Sequence, residues 1–236
     1  MNEVDVSWEK YPEIKRHFGE EWLRAEYTKI HPIFRILNEP EYLSKLNEYL
    51  MDVKENKTLR DHLRNRDTQF WDTYYELEIA YFLRKFGFKP ELNEKIIGHE
   101  TDILLKEQNL VIEVTHYHIP HKIESASAQF KPKSKSQEIP IAVNKTHISE
   151  KYLESYFIRK KFQNLYPNIV CFCPDMVIDL DCDDLAIEVS HPNNIPKEVS
   201  ALALWHSKRI LCLYDNTSGK KLQWKSSRLR DFFHQK

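Results

Sequence analysis

Two short apolar runs, separated by four polar residues, constrain the fold of this chain more than any other feature of its sequence. The runs are residues 102–105 and 110–115, and both are rich in Ile, Leu and Val. Runs of this length on either side of a polar segment such as residues 106–109 are typical of two strands joined by a hairpin turn. We therefore predict a pair of antiparallel strands between residues 102 and 115.

Two carboxylates lie within this predicted hairpin. Side chains alternate between the faces of a strand, so Glu113 and Thr115 share one face and His116 lies on the other. Asp102 opens the first strand after a predicted turn at residues 98–101, and antiparallel pairing can bring it close to Glu113. Neighbouring carboxylates repel each other unless a cation lies between them, and oxygen ligands of this kind suit Mg²⁺ or Mn²⁺. The alternative interpretation is that both are exposed acids on edge strands.

A helix is predicted directly upstream, over residues 70–86. Its apolar residues recur at helical spacing, and Gly87 is a suitable residue to end it. Glu76 lies in the interior of this helix. The order of features is therefore a helix with an internal carboxylate, followed by a hairpin that carries two more.

This order of motifs resembles the PD-(D/E)XK nuclease superfamily. In that superfamily a helix Glu stands about three turns before a Gly-Phe or Gly-Tyr pair and is followed by an Asp and then by Glu-x-Lys. The matching positions are Glu76, Gly87, Asp102, Glu113 and, in place of the lysine, Thr115. The resemblance implies a restriction-endonuclease-like α/β core, a central mixed sheet flanked by helices. In it Asp102 and Glu113 would hold Mg²⁺, and Glu76 would orient a metal-bound water or a second ion.

Thr115 departs from the pattern of the superfamily because a threonine supplies no positive charge. Some members recruit a basic residue from a neighbouring helix instead, and Lys151 is the first candidate here, with Lys160 second. More narrowly, the chain is similar to a group of uncharacterised bacterial restriction-endonuclease-like proteins that lack the motif lysine. That similarity covers roughly residues 68–216 and includes a closing helix and strand near its end.

Composition and termini add further expectations. The 236 residues carry a formal net charge of −1, so any attraction to phosphate must come from local patches. The chain has only 4 glycines and no Gly-rich phosphate-binding motif, which argues against a nucleotide-binding loop. No apolar run approaches membrane-spanning length and the N-terminus lacks a secretion signal, so we expect a cytoplasmic, reduced protein. The cysteines expected to be buried free thiols are Cys171, Cys173, Cys182 and Cys212.

The first 66 residues are charged and have apolar residues at helical spacing, which predicts two or three helices. Asn56 is a plausible start for a short helix. We predict a helical N-terminal extension over residues 1–66 and a restriction-endonuclease-like core over residues 67–236. The extension either packs as a structural cap on the core or forms a separate DNA-reading module.

The middle of the chain predicts a long loop, residues 116–147, and then a helix, residues 148–165. The loop contains His116, His118 and His121, which we interpret as surface histidines rather than metal ligands. Between residues 122 and 161 basic residues outnumber acidic ones, which favours contact with phosphate. The candidate nucleic-acid-binding residues are Lys131, Lys133, Lys135, Lys160 and Lys161.

The last third predicts strands at residues 168–173, 176–180 and 209–214, a helix at residues 197–206 and a turn at residues 216–219. We interpret the acidic residues 181–184 as a solvated loop and helix start rather than a calcium site. The tail carries basic residues around Trp224, a composition equally typical of a nucleic-acid contact and of a solvated tail.

These features together predict Mg²⁺- or Mn²⁺-dependent hydrolysis of phosphodiester bonds in DNA, that is, an endonuclease. DNA is the expected partner and a homodimer one possible arrangement, with neither a nucleotide cofactor nor a membrane involved. The alternative is a catalytically inactive, nuclease-derived module that binds DNA or protein. A third class is an interaction scaffold that uses the N-terminal helices and needs no metal.

Overall fold

The computed structural model contains both helices and strands, which confirms the predicted α/β class. The residues that it describes are 8–26, 33, 40–65, 68–117, 156–157, 160–174, 180–191, 195–206 and 208–234. The chain forms two compact units, Met1–Val114 and Thr115–Lys236. Within the described residues no helix is long and apolar enough to cross a bilayer. The restriction-endonuclease-like topology and the boundary at residue 66 stay predictions.

Short helices form the N-terminal part of the first unit, and its described residues contain at least four of them rather than two or three. They are α1 (Pro12–Phe18), α2 (Glu20–Glu26), α3 (Pro40–Tyr49) and α4 (Lys57–Leu63). Asn56 caps α4 as predicted, because its side chain accepts a hydrogen bond of 2.7 Å from the Leu59 amide. Buried side chains such as Ile14 and Phe18 pack in one cluster with the long helix α5 (Thr68–Lys85). The N-terminal helices therefore share a core with the helix that carries Glu76.

Three antiparallel strands follow α5. They are β1 (Glu91–Ile96), β2 (His99–Leu105) and β3 (Leu110–Tyr117). The last two form the predicted hairpin, and Leu105 pairs with Leu110 across a turn in which Asn109 has a φ of 51°. The expected turn at residues 98–101 is wrong, since β2 already begins at His99. The sequence did not predict β1 because its residues are mostly polar and exposed, so no apolar alternation marks it.

Helix α5 ends as predicted and is buried on two sides. Gly87 adopts a φ of 87°, and the Phe88 amide donates to the Leu83 carbonyl at 3.0 Å, which closes the last turn. One buried stripe, which includes Tyr74 and Leu77, faces the cluster formed with the N-terminal helices. A second stripe is buried outside that cluster, and its members are Thr73, Glu76, Ile79, Ala80 and Leu83. Because α5 also packs against β2, we infer that the second stripe faces the strands.

The second unit contains three strands and two complete helices in its described part. They are β4 (Asn168–Pro174), α6 (Cys182–Ser190), β5 (Val199–His206), β6 (Arg209–Asp215) and α7 (Ser227–Phe233). Strands β4 and β5 run parallel, whereas β5 and β6 run antiparallel. The predicted strands at residues 168–173 and 209–214 are confirmed. The one predicted at residues 176–180 falls mostly outside the described residues.

The helix predicted at residues 197–206 is wrong, and so is the closing helix that the family resemblance implied. Ala and Leu favour a helix there, but the structure forms β5 between β4 and β6. Every residue from Val199 to Trp205 is buried. A strand with neighbours on both sides and both faces covered has a continuous apolar run, which periodicity cannot distinguish from a buried helix.

Local polar signals were more informative at the ends of the helices in this unit. Asp181 accepts hydrogen bonds from the Asp183 and Asp184 amides at 2.9 and 3.1 Å, which confirms the acidic residues as a helix start.

The helix predicted at residues 148–165 ends earlier, because Tyr156 and Phe157 are helical but residues 160–167 are not.

The cysteines differ from the expectation of four free thiols. Cys182 and Cys212 form a disulfide that joins the first residue of α6 to β6, whereas Cys171 and Cys173 are buried and form no disulfide. The two bonded cysteines stand 30 residues apart in the sequence, and such a spacing by itself carries no pairing signal. The cytoplasmic location stays a prediction.

Candidate functional site

The pairing of β2 with β3 extends to the residues that adjoin the two predicted metal ligands. Ile103 pairs with Ile112 and Leu104 with Val111. Continuing this antiparallel register by one residue sets Asp102 opposite Glu113. Directly opposite residues direct their side chains to the same face of the strands. From this register we infer that the two carboxylates lie close together at the end of the β2–β3 ladder.

A hydrogen bond fixes the position of the Asp102 side chain. Its Oδ2 atom accepts from the backbone amide of Val114 at 2.7 Å. Hydrogen bonds to ionised acceptors are among the stronger ones, and this bond ties Asp102 to the residue next to Glu113. The Asp102 carboxylate is therefore anchored to β3 at the level of the second acid.

Glu113 is buried, with 1% of its surface exposed. Burying a carboxylate costs several kcal/mol unless hydrogen bonds or an opposite charge compensate it. The interpretation of Asp102 and Glu113 as exposed edge acids is therefore wrong for Glu113, while Asp102 is half-buried. A buried acid on a strand is a candidate for a functional role.

Glu76 is also buried, at 5% exposure, and belongs to the stripe of α5 that we assign to the strand side. The three acids of the predicted site thus lie in one compact unit, two on adjacent strands and one on the helix that packs against β2.

The structure limits which metal sites these acids can form. Among the described residues, no group of three or more His, Cys, Asp or Glu side chains is arranged to hold a metal ion. Mg²⁺ usually keeps several waters and binds proteins through one or two carboxylates, so the donor chemistry of Asp102 and Glu113 suits it. An ion shared by all three acids, with Glu76 as the third ligand, stays a prediction.

Thr115 and His116 follow Glu113 on β3. Thr115 is buried and, by strand alternation, shares the face of Glu113. His116 is buried as well, so its interpretation as a surface histidine is wrong, because the expected loop begins as strand. His118 and His121 lie outside the described residues.

Most of the predicted basic residues also lie outside the described part of the chain, namely Lys131, Lys133, Lys135 and Lys151. Lys160 is half-buried and its backbone amide donates to the Tyr156 carbonyl at 2.9 Å. Lys161 is exposed. Both follow the last described helical residues, so their side chains do not project from the predicted helix.

A buried acid that the sequence did not single out is Glu78. Its carboxylate accepts a hydrogen bond of 2.7 Å from the Tyr49 hydroxyl. Burial and the neighbouring Glu78 charge raise the pKa of Tyr49 far above its usual value. The only signal in the sequence is a second Glu two positions after Glu76 in an otherwise apolar stretch. We interpret Glu78 as a link between α3 and α5.

No protein-family model, curated protein or solved structure matches this chain.

Proposed function

We propose that the protein hydrolyses phosphodiester bonds in DNA with the help of Mg²⁺ or Mn²⁺. The observation that carries the proposal is the end of the β2–β3 ladder, where the Asp102 carboxylate accepts from the Val114 amide and the neighbouring Glu113 is buried. A cation between neighbouring carboxylates offsets their repulsion, and Mg²⁺ prefers oxygen ligands of this kind. The order of motifs that resembles the PD-(D/E)XK superfamily supports the same reaction.

Each acid has a distinct role in this proposal. Asp102, held by the Val114 amide, and Glu113, held in a buried strand, present fixed oxygens to the cation. When bound, Mg²⁺ would activate a water and offset charge on the scissile phosphate. Glu76 would accept a hydrogen bond from the attacking water and orient it.

Replacing Glu113 by Gln tests the proposal. We expect wild-type protein to cleave supercoiled, linear or single-stranded DNA in Mg²⁺ or Mn²⁺. Glu113→Gln should reduce the rate by at least about a hundredfold, because the amide keeps the shape of the side chain but loses the charge that holds the cation. The measurement is the rate of product formation on gels, with circular dichroism to verify folding.

The matched control is Glu100→Gln, which removes an exposed acid from the same strand as Asp102 and should leave the rate unchanged. Cleavage that proceeds equally well in EDTA, or that survives in Glu113→Gln, would contradict the proposal.

A second candidate function is a nuclease-derived module that binds DNA without cleaving it. Thr115 favours it, because this residue provides no positive charge at the position of the motif lysine. If the protein does cleave, Lys151→Ala should lower the rate sharply and leave DNA affinity nearly unchanged. Binding in Mn²⁺ without cleavage, together with unaltered binding by Glu113→Ala, would instead establish the binding module. A homodimer stays a prediction.

A further inference from the structure

The last fifteen described residues carry a strong excess of positive charge. Residues 220–234 contain five Lys and Arg and one acid, Asp231, in a chain whose net charge is −1. All five basic side chains are exposed. They are Lys220, Lys221, Lys225, Arg228 and Arg230, and we call them the C-terminal basic strip.

The C-terminal basic strip is held on a folded platform and is not a solvated tail. Ser226 caps α7 by accepting from the Leu229 amide at 3.1 Å. Phe232 stacks on Trp205 with ring centroids 6.1 Å apart, and Trp224 packs on Phe233 at 5.5 Å. These contacts fix the backbone that carries the strip. Binding of a ligand there therefore does not require this segment to lose further backbone conformational entropy.

The two ends of the strip are anchored at opposite ends of β5. The Lys220 amide donates to the Lys197 carbonyl, close to the first residue of β5, whereas α7 packs on Trp205 near its last. A strand of 8 residues is about 25 Å long at the usual rise. A DNA duplex presents one negative charge about every 1.7 Å of its axis, so a strip of this length faces many phosphates.

The described segments that pack on the two faces of β5 differ in charge. Leu202 and Leu204 pack with α6, whereas Trp205 lies on the other face with α7. Residues 181–191, which include α6, contain four acids and no Lys or Arg. Within the described residues, the attraction for a polyanion is therefore stronger at the C-terminal basic strip than at α6.

Three side chains of the strip have no ion-pair partner among the described residues, namely Lys221, Arg228 and Arg230. In the first unit, by contrast, Lys15 and Arg60 are held in ion pairs with glutamates at 2.9 and 2.8 Å. Cations that are exposed and not paired with an acid of the described residues keep more of their attraction for an external anion.

We propose that the C-terminal basic strip binds the phosphate backbone of nucleic acid. The apolar residues of α7, Leu229, Phe232 and Phe233, are buried in the fold. Since a basic helix that binds membranes needs an exposed apolar face to insert, a nucleic acid fits this surface better than a lipid bilayer does. The strip does not involve Asp102 or Glu113, so the proposal goes beyond the cleavage reaction and does not depend on it.

The test is the triple variant Lys221→Gln/Arg228→Gln/Arg230→Gln in the full chain. Binding to a labelled DNA duplex of mixed sequence is followed by fluorescence anisotropy in EDTA, at salt concentrations between about 50 and 200 mM. We expect the Kd to rise more than about tenfold and the slope of log Kd against log salt to fall by between about 2 and 3, since each lost phosphate contact contributes about 0.9.

The matched control is Lys54→Gln/Lys57→Gln/Lys95→Gln, which removes the same charge from exposed positions in the first unit and should change both quantities much less. If the two triple variants changed the Kd and its salt dependence equally, only net charge would matter, and the proposal would be overturned. It would also fail if wild-type protein bound anionic lipid vesicles but no DNA. The binding assay contains EDTA, so it does not depend on the metal-dependent cleavage reaction. A loss of DNA binding can therefore be distinguished from a loss of cleavage.

Discussion

Lowering the pH from about 6.5 to about 4 is expected to cost the protein roughly 3 kcal/mol of its free energy of unfolding through a single residue, His17. Burial in the first unit, followed by the nearby Arg16 charge, lowers the pKa of His17 from 6.5 to about 4. The unfolded chain therefore takes up a proton at this side chain between these two pH values, and the folded chain does not. Stability falls as the pH falls through this window and is fully present above it.

The surroundings of His17 explain why its neutral form is favoured. The ring is 1% exposed, and its Nε2 atom lies 3.0 Å from a guanidinium nitrogen of Arg16. A neutral Nε2 accepts a hydrogen bond from Arg16, whereas a protonated one would direct a donor at a cation. Arg60 adds to the repulsion, and Glu55 opposes it only in part.

The measurement is urea denaturation at pH 7 and near pH 4 for wild type and for His17→Gln, which cannot titrate in this range. We expect the variant to lose less stability than wild type on acidification, by about 3 kcal/mol. His191→Gln removes an exposed histidine from the second unit and should behave like wild type. Equal acid sensitivity of wild type and His17→Gln would show that His17 is not responsible.

Parts of this fold were predictable because single residues report local geometry. Gly87 at the end of α5, Asn56 before α4 and Asp181 before α6 act within a few residues of their own position. The hairpin of β2 and β3 was predictable for the same reason, since its strands are joined by a short turn. The position of Asp102 beside the strand that carries Glu113 could therefore be predicted from the sequence.

The features that were missed depend on contacts between distant residues. Strand β5 has a helix-forming composition, and only its pairing with β4 and β6 decides its structure. The polar strand β1 exists because β2 offers a partner. The burial of Glu113 and His116 arises in the same way, from packing around β3 that its sequence does not encode.

Reduction of the bond between Cys182 and Cys212 is expected to lower the free energy of unfolding by about 3 to 4 kcal/mol. The disulfide joins α6 to β6 across a sequence separation of 30 residues. It restricts the unfolded chain, and the loss of loop entropy for a closed loop of this size accounts for the expected magnitude. The cross-link also fastens α6 to the sheet, which otherwise holds this helix by side-chain packing, for instance through Leu185.

Thiol titration in denaturant gives the first measurement, with two reactive thiols expected before reduction and four after it. Urea denaturation with and without dithiothreitol then gives the change in stability. The control is the double variant Cys182→Ser/Cys212→Ser, which retains Cys171 and Cys173, so that its unfolding should be insensitive to the reductant. Four thiols in the untreated wild type would mean that the bond does not form in solution. A large effect of dithiothreitol on the double variant would instead assign the stabilisation to something other than this cross-link, because the remaining two cysteines form no disulfide.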